Sequence, residues 1–314
     1  PQSAFPAYLY FDWEVTLKMR EYVSQFREYL TEKKAVSENT LQSYMRDIQH
    51  FLTFMKEHQF TDLLKADDTM MHLYVEELTR QNLSNATITR RLASIRCFYQ
   101  FLMQNYHVTV NPAKHIKLEK SPKKLPHFLS GAEIDLLLAQ PNIAEPKGCR
   151  DKAILELLYA TGIRATELVE LNLGDINLKT GLLRCKGKAD RIIPVYPTAV
   201  KAVATYITRV RSVSLCDDDT EQPLFVNLNG NRLTRQGFWK IVKGYAEQAN
   251  ITKEITPHTL RHSFALHLLE NGADLKDIQT MMGHADISST QVYVQLLDSH
   301  FKEVYHNCHP RAKV

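Results

Sequence analysis

From residue 15 to about residue 106, apolar side chains recur at helical spacing. Val15, Met19, Tyr22, Val23, Phe26 and Leu30 make one stripe, and Leu41, Tyr44, Met45, Ile48, Phe51, Leu52 and Met55 a second. Leu73, Val75 and Leu78 mark a third, and Ile88, Leu92, Ile95, Tyr99 and Leu102 a fourth. The pattern predicts a four-helix bundle over residues 15–113, with residues 1–14 as an N-terminal extension and short polar connections such as "KKAVSEN" and "QNLSNAT". Periodicity then stops over residues 114–126, where prolines at 122 and 126 mark a linker.

A different pattern follows over residues 127–314. Ser130 and Glu133 have capping-box spacing ahead of "IDLLLAQ", and helical stretches "DKAILELLYATG" and "ATELVEL" come next. "TGLLRC" and "RIIPVY" alternate like strands of a hairpin joined by "KGKAD", and "LFVN" reads as a further short strand. Helices are expected at "TAVKAVATYITRVR", "RQGFWKIVKGYAEQ", after Thr256-Pro257, at "LKDIQTMMG", and near "SHFKEVYH". The expected fold class is mainly α, with a small antiparallel β-sheet in the second domain.

Composition adds limits. A length of 314 residues favours two domains, and 44% hydrophobic against 24% charged residues gives enough apolar material for both cores. The net charge of +4 is only mildly basic, so the placement of the cations matters more than their sum. Lys114, Lys117, Lys120, Lys123 and Lys124 crowd the linker against Glu119 alone, suited to following a phosphate backbone. On the second predicted helix Asn39, Thr40, Ser43 and Arg46 lie off the apolar stripe. On the fourth, Thr87, Thr89, Arg90, Arg91, Ser94 and Arg96 do the same. Short hydroxyls and arginines near helix starts suit phosphate contact as well as ordinary capping.

The cysteines, five in number, are scattered without CxxC spacing, which argues against a disulfide framework or a zinc site and fits a reducing compartment. No apolar run is long enough to cross a bilayer, so a cytoplasmic protein with no membrane partner is expected.

The second domain carries a series of chemically capable side chains: Arg164 in "ATGIRATEL", Lys186 in "CKGKADR", His258 and Arg261 in "HTLRH", His284 in "MMGHADIS" and Tyr293 in "SSTQVYV". His258 and Arg261, three apart at a helix start, share a face that can meet one anion. Tyr293 follows His284 by nine positions. In these motifs the chain resembles the tyrosine recombinases of the phage integrase family, and most resembles its Xer-type chromosome dimer resolvases, down to an ending like "CHPRA".

The resemblance implies an N-terminal SAM-like core-binding domain that clamps DNA, and an α-rich catalytic domain over residues 127–314. It implies metal-independent, cofactor-free cleavage of DNA through a 3′-phosphotyrosyl intermediate, and strand exchange through a Holliday junction. Tyr293 would be the nucleophile, and Arg164 and Arg261 would neutralise the non-bridging oxygens. His258 would accept the phenolic proton, Lys186 would protonate the leaving 5′ oxygen, and His284 would bond the phosphate. The family's lysine stands just before the hairpin glycine, here Gly187, which selects Lys186 over its neighbour Lys188. Implied partners are a duplex recombination site, further protomers in a homotetramer or a heterotetramer with a related recombinase, and a septal DNA translocase. Residues 299–314 would pack into a neighbouring protomer.

Other readings use the same residues. Integration or excision of a mobile element, a type IB topoisomerase, and a non-catalytic DNA-binding accessory protein all share parts of this pattern. Cys185 and Arg191 have cysteine-phosphatase spacing, but that chemistry needs a phosphate loop feeding a helix, whereas "RIIPVY" reads as a strand. The acidic run at 217–219 and the tail "HNCHP" lack partners at metal-ligand spacing.

Overall fold

The computed structural model describes residues 7–60, 62–116, 118, 127–187, 190–212, 222–283, 290, 291, 293 and 294. The chain divides into two compact units, Pro1–Lys123 and Lys124–Val314.

The first unit holds the four expected helices: α1 (Ala7–Glu28), α2 (Glu38–Glu57), α3 (Asp68–Arg80) and α4 (Asn85–Asn105). Side-chain oxygens of Ser37, Asp67 and Ser84 cap α2, α3 and α4 by accepting the N–H groups of Thr40, Met70 and Thr87. Phe26, Ile48, Phe51, Met55, Tyr74, Leu78, Ile95 and Phe98 are fully buried between them. Phe51 meets Tyr74 edge-on, with ring centroids 5.2 Å apart.

Two sequence expectations shift here. α1 starts at Ala7, ahead of Val15, so the extension expected over 1–14 is helical from Ala7 onward. The segment contains neither Gly nor Pro beyond Pro6, so nothing in its composition stops the helix. On α3 the inward face is Met70, Met71, Tyr74 and Leu78, while Leu73 stays 42% exposed. Tyr74 can lie inward because its hydroxyl shares a hydrogen bond with His50 Nδ1 at 3.1 Å.

In the second unit α5 (Gly131–Ala139) leads to α6 (Pro146–Thr161), a central helix in which Ala153, Ile154, Leu155, Leu157 and Leu158 are fully buried. α7 (Ala165–Glu170) precedes a three-stranded antiparallel sheet of order β1-β2-β3, from β1 (Ile176–Asn177), β2 (Leu182–Cys185) and β3 (Arg191–Pro194). Leu183 pairs with Ile193 and Cys185 with Arg191. Leu183, Cys185 and Ile193 are buried and the alternate residues face outward, as a one-sided sheet requires. α8 (Pro197–Tyr206), α9 (Arg235–Gln248), α10 (Pro257–Glu270) and α11 (Leu275–Met282) follow.

The strand expected at "LFVN" does not join the sheet. The backbone N–H groups of Leu224 and Val226 go to the Leu171 carbonyl at 2.8 Å and the Tyr206 hydroxyl at 3.1 Å, leaving only isolated bridges. The third strand is Ile176–Asn177 instead. The expected terminal helix, the acidic run at 217–219 and most of the linker, with Lys117, Lys120, Lys123 and Lys124, lie outside the described residues. No described helix is long and apolar enough to cross a membrane.

The two readings of α3 separate on mutation. Met71→Ala should lower the stability of the first unit by about 2–5 kcal/mol, whereas Leu73→Ala should change it by about 0.5 kcal/mol or less. Native-state hydrogen exchange of α2 and α4 amides in the full chain reads both. Equal effects would refute the assigned face.

Candidate active site

The site is assembled where three helix ends meet. α6 terminates at Gly162 in the left-handed conformation, φ 58°, and a Cβ there would come within 2.2 Å of Phe264 Cδ1. The sharp exit makes Arg164 the N-cap residue of α7. Its backbone N–H donates to Glu167 Oε2 at 2.7 Å and its Nη1 to Glu167 Oε1 at 3.1 Å. Thr256 and Pro257 start α10 as expected, with Thr256 N–H donating to Thr259 Oγ1 at 2.9 Å. That start puts His258 at the surface and Arg261, one helical turn on, in the interior at 3% exposure.

The third end is the C-terminus of α11, where Gly283 takes the left-handed conformation at φ 61°. Its last three carbonyls each accept from a different guanidinium. Met281 O takes Arg191 Nε at 2.7 Å, Met282 O takes Arg261 Nη2 at 2.5 Å, and Gly283 O takes Arg164 Nη2 at 3.0 Å. Arg261 also donates through Nη1 to Gly162 O at 2.6 Å. Helix C-terminal carbonyls carry partial negative charge and lack intrahelical partners, so cations settle there. Glu167 completes the arrangement by accepting both Nη1 and Nη2 of Arg191 at 2.9 Å.

This cluster carries three guanidiniums against one carboxylate, an excess suited to an anion. Burial pushes the Glu167 carboxyl up, but the Arg191 hydrogen bonds, the Arg164 N–H and both cations outweigh it and hold the pKa below its ordinary value. Burial and the neighbouring Arg164 push Arg261 down to about 10, which still leaves it charged at neutral pH. Partial burial of the ring, with Arg261 and Arg164 nearby, lowers His258 from its usual value.

Lys186 leaves the end of β2 with its side chain 57% exposed and its Nζ 2.9 Å from Asp175 Oδ1. Tyr293 lies on a helical stretch of backbone, 1% exposed, in an apolar cluster with Phe264, Leu266, Ile278 and Met282. Its hydroxyl and His262 Nδ1 share a hydrogen bond of 2.9 Å. Burial pushes the phenol up to about 12 against the pull of Arg261. His284, immediately after Gly283, and Lys188 lie outside the described residues. Arg164, Arg261 and His258 are thus brought together, with Tyr293 close to Arg261. Cys185 is fully buried in a strand with its thiol pushed up to about 11 by that burial, the opposite of a phosphatase nucleophile.

Sequence reasoning missed Glu167, Arg191, Asp175 and His262. Glu167 had a signal, since it stands three residues after Arg164 at the helix start. Arg191 had none, because its partners sit on other elements.

The phosphate-contact candidates of the first unit divide. Arg46 is exposed on α2 and Ser43 half-buried there. Thr40 and Thr87 hydroxyls lie 2.9 Å from the cap hydroxyls of Ser37 and Ser84. Arg90 bonds the buried Asp47 while its side chain stays 45% exposed, and Arg91, at 15% exposure, meets His50 Nε2 at 3.0 Å. Arg96 has a structural engagement that its motif did not suggest. Its guanidinium donates to Ala113 O at 2.8 Å and Ile116 O at 2.5 Å, tying the chain beyond α4 back onto the bundle. Ala113 and Ile116 lie outside any helix or strand, and Arg96 supplies donors to their carbonyls.

Residues 127–300 match the Phage integrase family, and residues 23–105 match the Phage integrase N-terminal SAM-like domain. The tyrosine recombinase XerD of Oceanobacillus iheyensis is 46% identical over 300 residues, covering 94% of this chain and 100% of that protein. The XerD of Staphylococcus haemolyticus is 40% identical over 296 residues, with 94% and 100% covered. Among solved structures, XerH bound to a palindromic difH substrate after cleavage superposes with a TM-score of 0.73 at 20% identity, covering 94% of this chain and 89% of that one. That likeness concerns the fold.

In the free chain, the His258 ring should titrate with a midpoint below about 6.5, read by NMR from its Cε1 proton. Adding duplex DNA to the Tyr293→Phe chain should move the midpoint upward, because a phosphate beside Arg261 and Arg164 offsets their charge. A free-chain midpoint above the ordinary value would contradict the assigned environment.

Proposed function

The chain belongs to the phage integrase family of tyrosine recombinases, and on that premise we propose how its own residues cut and rejoin DNA. The observation that carries the reading is the pair Arg164 and Arg261, anchored on adjacent carbonyls, Gly283 and Met282, beside an excess of positive charge. Both guanidiniums donate to the non-bridging oxygens of a scissile phosphate and stabilise the added charge of the transition state, a task otherwise suited to metal ions. Tyr293 attacks phosphorus through its phenolic oxygen. The phenolic proton passes to His258, the P–O5′ bond breaks, and Lys186 donates a proton to the departing 5′ oxygen. His284 adds a hydrogen bond to the phosphate.

The 3′-phosphotyrosyl bond conserves the energy of the phosphodiester. A 5′ hydroxyl from a second duplex reverses the step without a nucleotide cofactor, and paired exchanges proceed through a Holliday junction. The first unit, over residues 15–113, holds the duplex with Thr40, Ser43, Arg46, Thr87, Arg90, Arg91 and Arg96. The linker, residues 114–126, follows the backbone with Lys123 and Lys124. The chain works in the cytoplasm, as a homotetramer or with a related recombinase.

Identity to XerD proteins over nearly their whole length supports chromosome dimer resolution at cell division, with a septal DNA translocase as partner, over integration of a mobile element. Residues 299–314 engage a neighbouring protomer.

A nicked suicide duplex carrying candidate recombination sites tests the chemistry. The native chain should form a covalent adduct on a denaturing gel, and Tyr293→Phe none. Tight binding without an adduct would leave a non-catalytic DNA-binding protein. Lys186→Ala should slow adduct formation by roughly 10²–10⁴-fold, and a 5′-bridging sulfur, which leaves without a proton, should restore most of the rate. Failure of that rescue would remove Lys186 as the acid.

A further inference from the structure

Arg191 has a largely buried side chain, like Arg261, but it differs from both phosphate-facing arginines in how its guanidinium is held. Its side chain is 7% exposed, and all three of its guanidinium nitrogens are engaged with protein, two with Glu167 and one with Met281 O. One face of its guanidinium is covered by Gly283, where a Cβ would lie 2.9 Å from Nη1. Each of these nitrogens is thus fixed by a protein acceptor, three of the five N–H donors in all.

Its partners, however, are those that place the reacting groups. Glu167 is an anion 3.1 Å from Arg164 Nη1, so it competes with the scissile phosphate for that guanidinium. A carboxylate with both oxygens free would take Arg164 in the bidentate geometry that such pairs favour. Here both oxygens are already occupied by Arg191, and Arg164 keeps a single side-chain contact to the carboxylate with its side chain 38% exposed. The Met281 carbonyl belongs to the same turn whose next carbonyls hold Arg261 and Arg164. Arg191 also pairs with Cys185, the residue just before Lys186, at the base of the hairpin.

We propose that Arg191 is a positioning residue: by saturating Glu167 it keeps the Arg164 guanidinium available to the phosphate, and it ties the base of the Lys186 hairpin to the turn that anchors both phosphate-binding arginines. The inference rests on the recombinase reading above. Mere neutralisation of a buried acid would show as lost stability of the fold, whereas competition for Arg164 shows in a folded chain as a slower reaction at unchanged DNA affinity, relieved by removing the charge of Glu167.

The test compares adduct formation on the nicked duplex by the native chain, Tyr293→Phe, Arg191→Met, Arg191→Lys and the double variant Arg191→Met/Glu167→Gln. Arg191→Met should react about 100-fold more slowly, the scale of a misplaced catalytic group. Its DNA affinity should stay within about threefold, because affinity is spread over many phosphate contacts. Arg191→Lys keeps the charge but not the fork and should fall between. The double variant should recover at least about tenfold over Arg191→Met, the scale of one restored charged hydrogen bond.

A rate for Arg191→Met within about threefold of native would overturn the proposal, as would a double variant no faster than the single one. If Arg191→Met does not fold, Arg191→Lys against Arg191→Lys/Glu167→Gln makes the same comparison. If the native chain itself forms no adduct, the recombinase reading fails, which is a separate result.

Discussion

Three consecutive carbonyl oxygens at the end of α11, those of Met281, Met282 and Gly283, hold three guanidiniums in one place. Left to themselves, like charges at this spacing repel and would turn outward to water. The exposed end of the helix ladder supplies partial negative charge, and Glu167 supplies a full one, so the cations stay together and partly desolvated. The glycine ends of α6 and α11 are part of the same constraint. Each adopts the left-handed conformation, and at each a side chain would collide with Phe264 or with Arg191. Tight turns thus allow three helix ends to converge on one anion-sized region.

Preorganisation of this kind matters for a reaction without a metal. Charge that is already in place needs no reorganisation when a phosphorane forms, and a site walled by protein makes each donor count for more than it would in water. The nucleophile is arranged in the opposite sense. Tyr293 is buried among apolar side chains, with its hydroxyl on His262 and its pKa pushed up to about 12. A phenol in that state is inert toward adventitious phosphate, so reaction waits for a substrate and a proton acceptor.

What could be read from sequence follows from how local each signal is. The four helices of the first unit were legible because each buries a stripe at its own period. The inward face of α3 was misjudged because Leu73 and Val75 offer a competing apolar set beside Leu78, whereas Met70, Met71 and Tyr74 pack inward once the tyrosine hydroxyl has a partner. Arg164, His258 and Arg261 were legible from short motifs around helix ends. The tie of Arg96 to Ala113 and Ile116 was not legible because those acceptors belong to a stretch with no period. Arg191 was noticed only for its spacing from Cys185, because its meaning lies in Glu167 and Met281, which only the folded chain brings to it. "LFVN" looked like a strand by composition, yet its backbone donors found the Leu171 carbonyl at the end of α7 and the Tyr206 hydroxyl on α8.

The central claim is that the arginine cluster is built before DNA arrives, and guanidinium NMR on arginine-labelled chain tests it directly. Hindered rotation about the Cζ–Nη bonds of Arg164, Arg191 and Arg261 in the free chain, little changed when the Tyr293→Phe chain binds duplex, is the predicted result. Free rotation at Arg164 and Arg261 that slows only on adding DNA would contradict the account, since the phosphate would then be organising the site.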